Sequence, residues 1–362
     1  MSVLRHIFFT HIILVAIAIL LLKKNDFSDF SVQNTSQIVI TKQNKLWTAP
    51  LVDIENLWEE YNNIFDNQKS PERENFVNNI EKIIRHNNNV TEYYKMGVNQ
   101  FTATNLIDKE RKLTVYKPPQ TNELSHFVHP YTYSGLGRIL KFPRAFDWRD
   151  YNIINPRVRD QGECGSCWAI STVSSLEAIY SWHVRESVEL SEQELIDCSK
   201  KDFGCDGGWF ESALEYVSRK QSQWLTTSRD YPYSGRKNEY CRAHDILSRF
   251  RVLGGEKIRQ DDEEALREAL ITKGPLPVAL HVTANMYLYN SGIFWDQACN
   301  KNSVNHAVLL VGYGEDERLG PYWILKNSWG NQWGEGGYFK IMRGRNMCGI
   351  ASYALAPRTH FY

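Results

Sequence analysis

Two stretches of helical periodicity precede the first cysteine of the chain. Between Leu57 and Asn87 the apolar residues Leu57, Trp58, Tyr61, Ile64 and Phe65, and then Phe76, Ile80, Ile83 and Ile84, recur at steps of three and four. That spacing lines one face of a helix, so two amphipathic helices are predicted, the second opening at Ser70-Pro71. Residues 117–141, which run through Lys117-Pro118-Pro119 and Gly135-Leu136-Gly137, lose the periodicity and read as a linker. An exposed linker is where a processing enzyme cuts. Beyond Phe142 the texture changes. Cys164 to Tyr216 has helical spacing, whereas Leu276 to Val282 and Ala307 to Gly312 are strand-like runs. The pattern predicts an α+β protein with a helical half and a β half, and a cleft between two such subdomains is the usual seat of an enzyme site.

The chain opens differently. Arg5 and His6 precede an apolar run from Ile7 to Leu22, broken only by Thr10 and His11 and closed by Lys23 and Lys24. Residues 1–24 read as a signal peptide; an uncleaved signal-anchor is the alternative, because no small-x-small cleavage site follows. Either sends the chain into the secretory pathway, toward a lysosomal or extracellular destination, with membrane attachment only if the segment is kept. Asn34-Thr35-Ser36 and Asn89-Val90-Thr91 are glycosylation sequons, which give Asn34 and Asn89 as acceptors.

With 362 residues, a leading segment plus a globular unit of just over two hundred residues is the natural division. A formal net charge of +0 gives no electrostatic reason to expect nucleic acid or an anionic membrane as a partner. All 7 cysteines fall between Cys164 and Cys348, an odd count that permits three disulfides and leaves one thiol. Disulfides persist in oxidising compartments, in agreement with the leader.

The chemistry concentrates at Gln161-Gly162-Glu163-Cys164-Gly165-Ser166-Cys167-Trp168, which opens a stretch with Val173, Leu176, Ile179 and Tyr180 on one helical face. Cys167 is therefore expected at a helix N-terminus, where unsatisfied N–H groups and the macrodipole favour a thiolate. A Cys-x-x-Cys pair also serves as half a metal site or as a redox motif, and either cysteine can be purely structural. The metal reading lacks a second pair of ligands, and the strand that precedes a thioredoxin-like motif is missing.

Cys164-Gly165-Ser166-Cys167-Trp168, with Asn305-His306-Ala307-Val308 and Lys326-Asn327-Ser328-Trp329-Gly330 in order downstream, resembles the papain family of cysteine proteases, cathepsin L-like precursors in particular. The resemblance implies a papain-like two-subdomain fold, a helical left subdomain with Cys167 against a β-barrel-like right subdomain with His306, preceded by a helical inhibitory propeptide. It makes Cys167 the nucleophile, His306 the proton carrier, Asn327 the residue that orients the imidazole, and Gln161 a donor of the oxyanion hole beside the Cys167 N–H. Trp329 then shields the Asn–His bond from water. The implied bridges are Cys164–Cys205, Cys198–Cys241 and Cys299–Cys348. Gly207 and Gly208 follow as part of a substrate-binding strand, and Trp209, Phe210, Ala279, Val304 and Tyr353 as the pocket for the side chain two positions before the cut. Tyr353 at its floor favours branched aliphatic side chains.

The leading segment resembles the family's propeptide less fully. Phe76, Asn79, Ile83 and Asn87 match its helical motif, but Glu72 stands where an arginine is usual. Gly97-Val98-Asn99-Gln100-Phe101 matches the second motif, whose aspartate is here Ala103. The implied division is a leader at 1–24, a propeptide at 25–141 with its inhibitory part at about 57–116, and a peptidase domain at 142–362 that starts near Phe142-Pro143. The implied function is a cysteine endopeptidase made as a zymogen. It acts on protein or peptide substrates through a thioester acyl-enzyme as a monomer, without metal or organic cofactor and with its own propeptide as intramolecular inhibitor. A silent binding module on the same scaffold and an exopeptidase of the same family are the alternatives.

Overall fold

The computed structural model describes residues 51–65, 72–89, 93–112, 127–135, 142–244 and 250–361. The expected leader 1–24 and the sequon residue Asn34 lie outside them. Among the described residues no helix is long and apolar enough to cross a membrane.

Helix α1 (Leu51–Ile64) belongs to a compact unit of its own, in which Trp58 stacks on Tyr61 with ring centroids 5.9 Å apart and Tyr61 meets Phe65 at 4.8 Å. The second unit holds everything from Asn67 onward. Its first helix, α2 (Arg73–Asn87), buries Phe76, Ile80 and Ile83 of the predicted apolar face together with Asn87, while Ile84 is half-buried. Ser70-Pro71 falls outside the described residues, and the helix begins at Arg73.

Polar residues fix the chain that follows. The Asn79 amide donates to the carbonyls of Thr102 (2.9 Å) and Thr104 (3.1 Å). The buried Asn87 side chain exchanges two bonds with Met96, donating at 2.8 Å and accepting at 2.9 Å. These bonds hold strand β1 (Tyr94–Met96) and the turn before helix α3 (Leu106–Lys112). Ala103 is fully buried and its carbonyl accepts the Glu72 N–H at 3.0 Å.

Strand β2 (Val128–Pro130) is a difference from the linker reading, since residues 127–135 of the stretch 117–141 are docked backbone. Next come β3 (Phe146–Asp147), α4 (Cys167–Val184), α5 (Glu192–Cys198), α6 (Phe210–Arg219), β4 (Phe250–Lys257) and α7 (Glu263–Lys273). The chain ends in β5 (Leu276–Leu280), β6 (Tyr289–Phe294), β7 (His306–Asp316), β8 (Gly320–Lys326), β9 (Tyr338–Met342) and β10 (Tyr353–Phe361). Among the described residues the strands join in the order β1-β6-β9-β8-β7-β5-β10-β4-β2, with β3 against β7. The pairs β6–β9 and β2–β4 are parallel and the others antiparallel.

The main core joins the two halves: Trp168, Val173, Leu176 and Ile179 of α4 and Phe210, Ala213, Leu214 and Val217 of α6 cluster with Ala279, Ala307 and Leu355 of the sheet. Helix α4 is buried on every side from Cys167 to Ile179, where its periodicity suggested a single apolar face. Its polar side chains are matched internally. Buried Glu177 takes two bonds from the Arg159 guanidinium, at 3.0 and 2.6 Å, and a third from Leu190 N–H at 2.8 Å.

Candidate active site

The site forms where the N-terminus of α4 meets the start of β7. Cys167 is the first residue of α4, behind Ser166 as N-cap, and it is the free cysteine among three disulfides, Cys164–Cys205, Cys198–Cys241 and Cys299–Cys348. The pairings are those that the resemblance implied. Gly165 lets the Cys164 loop lie against the Cys205 segment: its N–H donates to the Cys205 carbonyl at 2.8 Å, and a Cβ there would stand 2.6 Å from that oxygen.

His306 opens β7 and is fully buried. Its Nε2 lies 2.8 Å from Asn327 Oδ1, which also accepts the Ser328 N–H at 2.8 Å. An oxygen that takes the Ser328 proton is an acceptor toward the ring as well, so Nε2 carries the proton and Nδ1 keeps the lone pair. Nδ1 has no hydrogen-bond partner. The Trp329 indole lies over the imidazole at 5.0 Å between centroids, stacked in turn on Tyr287 at 4.8 Å and met edge-on by Trp333.

Gln161 is locked beside this pair. Its Oε1 accepts the Ser328 hydroxyl at 2.6 Å, its Nε2 donates to the Cys164 carbonyl at 2.9 Å, and its backbone N–H donates to Ser328 O at 2.9 Å. The Tyr233 hydroxyl donates to Gln161 O at 2.8 Å and lies 2.9 Å from Ser166 Oγ, joining this loop to the N-cap of α4.

The thiol departs from the expectation at a helix N-terminus. Burial pushes Cys167 up to about 11, although the N–H groups of Ala307, Trp168 and Cys167 itself pull the other way. Burial also drives His306 down to about 4 against the pull of Asn327. Desolvation outweighs the helix terminus, so the pair is neutral in this closed form.

The expected substrate residues are also brought together, with one change of local structure. Gly204–Asp206 is a tight 3-10 turn, and Gly207-Gly208 leaves it outside the sheet, with Gly207 at φ 114, rather than as a sheet strand. Buried Asp202, which sequence reasoning missed, pins that run: it accepts Trp209 N–H at 2.8 Å and the hydroxyls of Ser212 at 2.6 Å and Ser199 at 2.5 Å. Trp209 stacks on Phe210 at 4.6 Å and meets the Tyr353 ring edge-on at 5.3 Å. Tyr353 is paired with Ala279, and Val304 packs against the same cluster. Trp209, Phe210 and Ala279 are fully buried, so Val304 and Tyr353 are the members that keep exposure.

The leading segment covers the site. Strand β1 pairs with β6, Asn99 donates to Tyr287 O at 2.8 Å, and the Gln100 amide donates to Trp329 O at 2.5 Å. The Phe101 ring stands edge-on to both Tyr287 (5.1 Å) and Trp329 (5.4 Å). Glu110 accepts Ala284 N–H at 2.7 Å, and Lys109 reaches Glu163 at 3.1 Å. Tyr287 and Glu110 carried no signal in the sequence, because their roles arise from contacts distant along the chain.

A thiol at a helix start beside a buried His–Asn pair, under a segment of the same chain, defines the class as thiol-dependent peptidases in precursor form. The family model for papain family cysteine proteases matches residues 142–358. The chain belongs to that family. It is 40% identical to the thiol protease aleurain of Arabidopsis thaliana over 78% of this chain and 76% of aleurain. It is 35% identical to a cathepsin L-like protein of Caenorhabditis elegans over 83% and 90% of the respective chains. The digestive procathepsin L 3 of Tenebrio molitor larval midgut superposes with a TM-score of 0.74 at 33% identity, across 84% of this chain and 98% of that one. The protein is thus a cathepsin-like thiol protease of zymogen type with a papain-like α+β fold.

Proposed function

We propose that the protein is a cysteine endopeptidase in which Cys167, His306, Asn327 and Gln161 carry the chemistry. The observation that carries this reading is the Nε2–Oδ1 bond under Trp329, which makes Nδ1 the basic atom of the ring, while the Cys167 thiol takes the N–H of the next residue, Ala307. The Cys167 proton passes to His306 Nδ1, and the sulfur bonds to the scissile carbonyl carbon. The oxyanion takes the Cys167 N–H and the second proton of the Gln161 amide, whose first is held by Cys164 O. The C–N bond breaks as Nδ1–H protonates the leaving amine, which gives a thioester; His306 then takes a proton from water, whose oxygen displaces the thiolate. Asn327 keeps the ring in place, and Trp329 keeps water from its bond.

Substrate backbone lies along Gly207-Gly208, and Trp209, Phe210, Ala279, Val304 and Tyr353 receive the side chain two positions before the cut. The breadth of the Tyr353 ring favours branched aliphatic groups there. The peptidase domain is 142–362, with a leader at 1–24 and a propeptide at 25–141 whose part at about 57–116 inhibits. The precursor enters the secretory pathway, acts as a monomer in a lysosomal or extracellular setting, and accepts glycans at Asn34 and Asn89. Asn89 is exposed just past α2, as an acceptor must be.

A peptide blocked at both ends separates the modes of action. Cleavage at an internal bond is the endopeptidase result. Inertness of the blocked peptide, with stepwise release from its unblocked counterpart, assigns an exopeptidase and overturns this reading.

A further inference from the structure

The propeptide docks through two separate patches. The residues over the site, from Tyr94 to Glu110, hold β6, Tyr287, Ala284, Trp329 and Glu163. The second patch is remote from these: β2 lies parallel to β4, with Val128 opposite Gly255 and Pro130 opposite Lys257. Gly255 N–H donates to Phe127 O at 2.9 Å, and Tyr131 N–H to Lys257 O at 2.8 Å.

The receiving edge is shaped for this strand. Gly254 has φ +113, and a Cβ there would fall 2.0 Å from Phe127 O, so only glycine admits the close approach. Buried Glu268 of α7 offers Oε1 to three donors beyond the strand: Tyr131 OH at 3.1 Å, Ser134 N–H at 2.7 Å and Ser134 Oγ at 2.8 Å. The Arg219 guanidinium covers the Phe127 ring at 4.5 Å, and Val128 packs against the main core. Without β2, β4 becomes the outermost strand, with unpaired backbone groups of the kind that template association. The two patches share no residue, so loss of the inhibitory contacts leaves the second set intact.

We infer that residues Phe127–Gly135 stay on β4 when the inhibitory segment departs, so that the active enzyme carries them as an edge strand, an intramolecular case of strand addition. This rests on the zymogen reading. In the test, full-length zymogen is processed to completion by its own activity, or by an added endopeptidase should the chain fail to cut itself. The enzyme is isolated by native size exclusion and analysed by denaturing mass spectrometry. Failure of self-cutting bears on the proposed protease chemistry, whereas peptide recovery bears on this inference alone. The expected result is close to one equivalent of a separate peptide spanning Phe127–Gly135 beside the peptidase chain, with the Gly255 amide as slow to exchange as in the zymogen. Tyr131→Pro removes the donor to Lys257 O and the hydroxyl on Glu268 without altering the peptidase domain, and should lower recovery at least about tenfold. Processed enzyme that lacks residues 57–112 and also 127–135, or equal recovery from Tyr131→Pro, overturns the inference.

Discussion

His306 Nε2 and Asn327 Oδ1 meet at 2.8 Å with both residues buried, and the Trp329 ring lies 5.0 Å from the imidazole. The bond fixes which ring nitrogen is basic, so its loss should act on the rate rather than on binding. A hydrogen bond to a group that becomes charged contributes about 1.5–3 kcal/mol. Asn327→Ala should therefore lower kcat about 10- to 150-fold with little change in KM, measured by steady-state hydrolysis of a blocked dipeptide.

Acid should destabilise the closed zymogen although Ala103 cannot titrate. His306 is held down to about 4 by burial, below its ordinary 6.5. The unfolded or opened chain binds a proton between those values when the closed one does not, so stability is full above about 6.5 and lost as pH falls toward about 4. Cys167 acts at the other end. Held up to about 11, it withdraws stability as pH rises from its ordinary 9.0 through that value. Thermal midpoints of the zymogen from pH 7 to pH 4 check the first statement, and His306→Gln should flatten the fall; an unchanged slope would remove His306 as its source.

Glu177 and Arg159 form an ion pair inside the helical half, with Glu192 also 3.2 Å from the guanidinium. Removing the guanidinium leaves both carboxylates buried without their cation. Arg159→Leu should cost about 3–5 kcal/mol in urea unfolding of the zymogen, whereas loss of an exposed pair such as Lys109–Glu163 should cost under about 1 kcal/mol.

Phe101 should hold the propeptide over the site. Its ring meets Tyr287 and Trp329 edge-on at 5.1 and 5.4 Å, contacts that contribute about 0.5–1.5 kcal/mol each beyond burial. Phe101→Ala should raise the activity of unprocessed zymogen at neutral pH at least about tenfold, read as initial rate before any cut is detected by mass.

The candidate site was legible in the sequence because it sits in short runs whose residue types have few other uses together: Cys164 to Trp168, Asn305 to Val308 and Lys326 to Gly330. The helix α2 was legible because one face is apolar at regular steps. Helix α4 was only half legible, since its Ser, Thr and Glu residues look solvent-facing until Arg159 and the sheet enclose them. The strand β2 was hidden by Pro130 and by its shortness, for its pairing is decided by the edge of β4. Asp202 and Tyr287 act through neighbours that only the fold supplies. The thiol misled for another reason: a helix terminus lowers its pKa, but the depth at which the fold buries it is not written in any motif.

The most direct test of the account is hydrolysis of a blocked Leu-Arg fluorogenic dipeptide by processed enzyme, before and after an epoxide thiol trap, alongside Cys167→Ala. The account predicts activity that both the trap and the substitution abolish, with the label on Cys167. Activity that survives Cys167→Ala, or a folded enzyme freed of residues 57–116 that neither turns over nor takes the label, would contradict it.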